Sequence, residues 1–435
     1  MLGAGESMQG AMPYRFVHAA DVHLDSPLRS LALRDPELAE LIGNATRRAF
    51  VNIIDLCLTE QVDALLLAGD LYDGDQTSMK TARFLAEQVR RLHEAGIQVF
   101  VIRGNHDALS RITKELTFPD SVKVFGGRAE TVAVERTDGA FAVAVHGMSF
   151  ARPHAPESLL PRFKPPVEGA VNIGLMHTSL AGTPEHDPYA PCTLADLHAT
   201  GFNYWALGHI HKRSVVQDRS TVVMAGMPQG RDINEDGAKS ATLVTIADDR
   251  SIHVEERVTS VAQFELVPVD VTGIAEWRDM VAALAKAMQR ARERVPSEQL
   301  VARLRFTGPT PLAWRMRCDR DLLQAEAADK AFVIGKSWIE KIEIDCRAPN
   351  AAAGPAADPI TELRRLIGEE VVPSGAYQAE IAGIADELRT QLPPECRTLL
   401  GSDEDAFATA VAELVQEGAE DVLARLHAGA DAEAP

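Results

Sequence analysis

No stretch of this 435-residue chain is apolar for long enough to span a bilayer, and its start lacks a basic region followed by an apolar core. A membrane protein is not expected, and a cytoplasmic location is. Cysteine is scarce: Cys57, Cys192, Cys318, Cys346 and Cys396 are odd in number, scattered and without close pairs, which reads as reduced intracellular thiols. Positive charge is in deficit, with 44 Lys and Arg against 63 Asp and Glu and a net charge of −19, which argues against a protein that coats nucleic acid by bulk attraction. Any work on nucleic acid would need positive charge concentrated locally, on bound metals and on a stripe such as Arg29, Arg47, Arg48, Arg103, Lys212, Arg213 and Arg231. Long heptads and internal repeats are absent, so a coiled coil would have to come from a partner. What remains is the balance of a soluble globular protein, 46% hydrophobic and 25% charged, long enough for two or three domains.

Four separated polar clusters stand out: Asp21-Val22-His23, Gly69-Asp70, Gly104-Asn105-His106-Asp107 and Gly208-His209-Ile210-His211, with His177 alone between the last two. Each follows an apolar run that reads as a buried strand, at Arg15 to Ala20, Ala64 to Ala68, Val99 to Ile102, Ile173 to Met176 and Tyr204 to Leu207. Parallel strands of an α/β fold deliver such ends to one edge, where ligands bind. Hydrolysing a phosphoester near neutral pH needs a nucleophile stronger than water, which two divalent ions supply by acidifying a bridging water while polarising the phosphoryl oxygens. Carboxylates and imidazoles without thiolates suit manganese, iron or zinc and argue against a structural cysteine-type zinc site. Asp70, on a tight turn after a strand, is the candidate bridge. Asp21 and His23 are expected to point the same way from an extended Asp-x-His segment, and His209 and His211 to repeat that geometry. The glycines before Asp70, Asn105 and His209 would let the backbone turn beside the ions. His18, His146 and His198, in or beside apolar stretches, read as packing residues.

These motifs resemble the calcineurin-like metallophosphoesterases and, within them, the SbcD-type DNA repair nucleases, nearest the YhaO branch. Two segments draw the likeness toward that branch, FVHAADVHLDSP at Phe16 to Pro27 and EHDPYAPC at Glu185 to Cys192. The resemblance implies that Asp21, His23 and His211 hold one metal, that Asn105, His177 and His209 hold the other, and that Asp70 bridges. His106 would act as general acid for the leaving oxygen, with Asp107 orienting it. Manganese is the first expectation for the two ions, with iron, zinc or magnesium as alternatives. Archaeal and eukaryotic nucleases of this superfamily carry a histidine three residues after the bridging aspartate, and this chain has Asp73. Arg103 or His186 is therefore the candidate for the positive charge that stabilises the pentacoordinate phosphate.

The implied fold is a four-layer α/β/β/α sandwich over residues 14–260, after a flexible lead-in at 1–13. It carries amphipathic helices at Pro36 to Glu60 and Thr77 to Glu94, and a loop at Pro153 to Pro166, where five prolines preclude a regular element. A small α+β unit over 261–348, in the order strand, helix, strand, helix, strand, would cap the metal site by the same resemblance. An Ala-, Gly- and Pro-rich linker is expected at 349–359, and acidic amphipathic helices over 360–435. In the family such a helical segment docks on a coiled-coil ATPase of SbcC or YhaN type. The expected activity is a metal-dependent DNA exonuclease or endonuclease with DNA and that ATPase as partners; a homodimer is left open. The alternatives are a phosphodiesterase or phosphatase for small substrates such as cyclic nucleotides, and a structural subunit that binds DNA ends without cutting them.

Overall fold

The computed structural model describes residues 13–26, 36–72, 79–108, 118–134, 141–180, 189–348, 359–392, 401 and 403–432, without the side chains of 359–361 and 427–432. Most of the expected lead-in and linker lies outside these. The chain divides into two compact units, one of Met1–Pro27, Ala39–Phe264 and Pro296–Glu298, the other of Leu28–Leu38, Glu265–Val295 and Gln299–Pro435.

The first half of the sandwich is built by β1 (Tyr14–Ala19), α1 (Pro36–Gly43), α2 (Ala45–Thr59), β2 (Ala64–Ala68), α3 (Met79–Glu94), β3 (Gln98–Ile102) and β4 (Val122–Val124). The second half follows with β5 (Glu130–Val134), β6 (Val143–Gly147), β7 (Val171–His177), α4 (Leu194–Ala199), β8 (Tyr204–Gly208), β9 (Ser214–Gln217), β10 (Thr221–Met224), β11 (Ser240–Ile246) and β12 (Ile252–Val258). Two six-stranded sheets result, in the orders β12-β11-β1-β2-β3-β4 and β5-β6-β7-β8-β10-β9. Within them β1 to β4 run parallel, as do β6, β7, β8 and β10.

Period-two alternation explains the layering. On β1 and β2, Phe16, Ala64, Leu66 and Ala68 enter the core between the sheets, where they meet Val145, Ile173, Leu175 and Tyr204. Val17, Ala19, Leu65 and Leu67 face the other way, onto Phe50, Ile53, Ile54 and Cys57 of α2 and Leu85, Val89 and Leu92 of α3. On the far side of the second sheet, Met176, Trp205 and Leu207 pack with Leu197 of α4. These are the four layers, helix, sheet, sheet and helix.

The four edge strands of the two sheets are β4, β5, β9 and β12. They are half exposed, and β12 reads IHVEERV, so one face alone carries an apolar signal. The helix expected from Pro36 to Glu60 breaks at Asn44, which follows Gly43; both residue types are weak in helix interiors. The proline-rich loop contains one 3-10 turn, Leu160–Arg162, with Pro161 in the first turn, where its missing N–H costs nothing.

The second unit contains β13 (Ala262–Asp270) from Glu265 on, α5 (Trp277–Arg294), β14 (Gln299–Pro309), α6 (Ala313–Cys318), α7 (Arg320–Ile334) and β15 (Ser337–Arg347). The sheet order is β13-β14-β15, with β14 and β15 parallel, and its core joins Met280, Leu284, Leu304, Phe306, Leu323 and Ala327. The expected second helix is interrupted at Asp319 and runs on to Ile334. Then come α8 (Pro359–Leu366), a π turn at Ile367–Val371, α9 (Gly375–Gln391), capped by the Ser374 hydroxyl, and α10 (Glu404–Ala432). Ion pairs Arg320–Glu417 (2.7 Å) and Arg364–Glu420 (2.6 Å) tie α10 to α7 and α8. Among the described residues no helix is long and apolar enough to cross a membrane.

Phe16, fully buried between the sheets, is a direct test of this packing. Phe16→Ala is expected to cost about 3–5 kcal/mol, read as a fall in the urea midpoint without a change in slope.

Candidate metal centre

The polar clusters lie where β1, β2, β3, β7 and β8 end, at the carboxyl edges of parallel strands in both sheets. Beyond β1 and β2 the two chains stay paired: the Asp21, His23 and Leu24 N–H groups donate to the carbonyls of Gly69, Asp70 and Leu71 at 2.9–3.1 Å. Asp21, His23 and Asp70 have φ of 52°, 45° and 51°, and His209 has 103°. Extended alternation is therefore not what aims Asp21 and His23. Positive φ at alternate residues, a conformation that costs a non-glycine side chain energy, accompanies the approach of both side chains, and β1 has already ended at Ala19. His209 likewise leaves the extended region immediately after β8.

Gly69 takes φ 98° in the turn before Asp70. Gly104 is required for a different reason: a Cβ there would land on the Asp70 carboxylate and the His177 ring.

The side chains so placed form one connected group. Asp21, His23, Asp70, Asp107 and His177 are buried, whereas His106 is exposed at the rim. The Asp21 carboxylate accepts the His209 backbone N–H at 2.9 Å, and His23 Nε2 lies 3.2 Å from His211 Nε2. His177 Nε2 lies 3.2 Å from Asp70 Oδ2 and 3.0 Å from Asn105 Oδ1. Rings of His177 and His209 stand 5.1 Å apart, as do those of His23 and His106. Two donor groups suited to a cation emerge, Asp21-His23-His211 and Asp21-Asp70-His177, each with its ligand atoms within 4.8 Å of one another.

The chemistry of these donors fits divalent metal. His177 Nδ1 donates to the Ala68 carbonyl (2.9 Å), which can only accept, so Nε2 faces two oxygens. Three acceptors this close repel unless a proton or a cation lies between them. His211 repeats the arrangement, with Nδ1 donating to Glu235 Oε1 at 2.8 Å and Nε2 facing His23.

Asp107 accepts the N–H groups of Gly104 (2.6 Å) and Leu71 (3.0 Å), and the His106 N–H donates to Asp70 (3.0 Å). Its hold on His106 thus runs through the backbone of the turn. Arg103 is fixed by Ser149 Oγ on its backbone N–H, and its Nε is buried without a hydrogen-bond partner among the described residues. Asp73, His186 and Arg29 lie outside the described residues. The expected basic stripe is partly neutralised: Arg47 pairs with Asp25, Arg48 with Glu298 and Arg231 with Glu235. Glu235 was not anticipated, because nothing in the turn around it distinguishes it from Asp232 or Asp236. The Tyr189 ring, 5.1 Å from His209, and Phe150, 5.6 Å from His177, were also illegible as walls of the site. His18, His146 and His198 bond to Tyr204, Asn172 and Ser220, away from the donor groups.

Burial pushes Asp107 up to about 7, and the neighbouring Asp70 charge adds to the shift. Burial also raises Asp21. Asp70 would be raised by burial, but His177, by hydrogen bond and charge, holds it well below the usual carboxylate range. His177 would be lowered by burial, yet Asp70 beside it raises it to about 9. For Asp107 (3.8 to about 7) and His177 (6.5 to about 9) the folded chain binds more protons than the unfolded one, so both terms have one sign. Without metal, the thermal midpoint should fall as pH rises from about 6.5 through 9, above the range in which His18, lowered by burial to about 3, acts in the opposite sense. A saturating divalent ion, which would take the place of the His177 proton, should flatten that fall; an unchanged slope would count against the donor groups as cation sites.

Comparison with known proteins agrees with the geometry. Residues 14–213 match the calcineurin-like phosphoesterase family, and residues 264–347 match the middle domain of the metallophosphoesterase YhaO. The chain is 30% identical over 347 residues to YhaO of Bacillus subtilis (strain 168), covering 79% of this chain and 84% of that protein. It is 28% identical over 246 residues to the DNA double-strand break repair protein Mre11 of Sulfurisphaera tokodaii, covering 54% and 60%. Against one subunit of the nuclease SbcCD of Bacillus subtilis (strain 168) the figures are 24% over 268 residues, covering 53% and 66%. Metallophosphoesterases use divalent metal ions, and the donor groups here are candidates to hold them. With a 30% identical relative matched across most of both chains, and matches to the calcineurin-like phosphoesterase family and to the YhaO middle domain, the chain belongs to the calcineurin-like metallophosphoesterases, in their YhaO group.

Proposed function

We propose that the chain is a DNA nuclease that hydrolyses phosphodiester bonds with two divalent ions, manganese first among them, and works with a coiled-coil ATPase of SbcC or YhaN type. The observation that carries the chemistry is a pair of donor groups that share buried Asp21, the second of which contains buried Asp70. Asp21, His23 and His211 would hold one ion, Asn105, His177 and His209 the other, and Asp70 both. Bound there, the ions would supply Lewis acidity toward the phosphoryl oxygens and a nucleophile at neutral pH. His106, exposed on a turn pinned to Asp70, delivers a proton to the leaving oxygen, and Asp107 keeps that turn in place. Arg103 or His186 neutralises charge on the phosphate.

DNA as substrate is supported by the relatives, whose names place them in double-strand break repair and in a nuclease. The SbcCD relative is by name one part of a nuclease of more than one chain. A partner is also supported by α9 and α10, which line an apolar groove of about 570 Å³ and leave Ile384, Leu388 and Leu414 about half exposed.

The test is Mn²⁺-dependent hydrolysis of end-labelled single- and double-stranded DNA beside bis-p-nitrophenyl phosphate. His106→Ala should keep its metal and lose on the order of 10²–10⁴-fold in turnover. Asp70→Ala should lose metal and activity together, and retained cleavage would overturn the site. Turnover of the small ester with DNA untouched, even with the ATPase added, would instead establish a small-substrate phosphodiesterase.

A further inference from the structure

His211 has two ring nitrogens, and only one can face a cation beside His23. The other, Nδ1, lies 2.8 Å from Glu235 Oε1. A carboxylate accepts and does not donate, so this contact puts the ring proton on Nδ1 and leaves the Nε2 lone pair toward His23 Nε2, 3.2 Å away. Glu235 is itself held. Arg231 donates its backbone N–H (2.8 Å) and Nε (3.3 Å) to Oε2 and its Nη2 (2.8 Å) to Oε1. The same guanidinium reaches Ser26 Oγ at 3.4 Å, and the Ser26 N–H donates to the His23 carbonyl at 3.1 Å. One hydrogen-bonded path thus joins His211 to the turn that carries Asp21 and His23. The loop closes on itself: a Cβ at Gly230 would crowd the Glu235 carbonyl, and the Asp232 carboxylate accepts the Asn234 N–H at 2.8 Å. His177 is oriented differently, by the backbone carbonyl of Ala68.

We propose that Glu235, clamped by Arg231, is a positioning residue that fixes the His211 tautomer and thereby sets cation affinity at the Asp21-His23-His211 group alone. This rests on the two-ion reading above. The simpler reading is an ion pair that only closes the loop. The two differ in outcome, because a loop closure would not discriminate between two ions held a few ångströms apart, whereas a ring-orienting carboxylate acts on the one ligand it touches.

The experiment is titration of the metal-free full-length chain with Mn²⁺ by calorimetry and with Co²⁺ by visible absorption, for wild type, Glu235→Ala and Glu235→Gln. Wild type should bind two ions. Glu235→Ala should weaken one site on the order of 10–100-fold and leave the other unchanged. Glu235→Gln, which keeps an acceptor for Nδ1–H, should recover most of that loss. Two ions at wild-type affinity in Glu235→Ala, or an equal loss at both sites with a fall in thermal midpoint, would overturn the proposal. A wild type that binds at most one ion would overturn the two-ion reading and the brace with it. Should Glu235→Ala not fold, long-range ¹H–¹⁵N spectra of the Zn²⁺-loaded wild type decide the matter, with His211→Ala used for assignment. An Nδ1–H tautomer of His211 is expected, and an Nε2–H tautomer would refute the brace.

Discussion

Two carboxylates, Asp21 and Asp70, are buried at the ends of neighbouring parallel strands, and like charges so placed cannot both ionise in a dry interior without positive charge beside them. Much of the first unit around them answers that requirement. His177, His23 and His211 converge on the pair from both sheets, and the backbone N–H groups of His209 and His106 point at the two carboxylates. Protons balance the charge when nothing else does, and divalent ions are the stronger solution.

The cost appears in the backbone. Asp21, His23, Asp70 and His209 all adopt positive φ, and Gly104 must lack a side chain for Asp70 and His177 to meet. Strain of this kind persists only when its surroundings over-determine it. Here they do so through the paired chains beyond β1 and β2, the Asp107 carboxylate bonded to two turns, and the Glu235–Arg231 clamp reaching Ser26. The polar groups that never touch substrate in the proposed reaction hold the ones that would.

Much of this was legible in the chain. Strands such as Ala64–Ala68 and Tyr204–Gly208, buried on both faces, read as short unbroken apolar runs, and the donors follow them directly. Edge strands were harder, because β9 is four residues long with polar ends and β12 carries charged positions that break the apolar pattern. The inward aim of Asp21 and His23 was foreseen for the wrong reason: the segment is not extended. Positive φ in an aspartate or histidine leaves no mark in sequence, since neither residue type announces it as glycine does.

What the sequence by itself determined is the set of donors, their order after apolar strands, and the layered α/β class, because those depend on residue type and on short-range periodicity. The tertiary structure alone decided which donors come within reach of one another, which nitrogen of His211 faces His23 and which faces Glu235, and that Glu235 and Arg231 lie beside these donors while Arg47 and Arg48 pair elsewhere. Those facts are distances between residues up to about 200 positions apart, set by how two sheets pack face to face, and no local pattern encodes them.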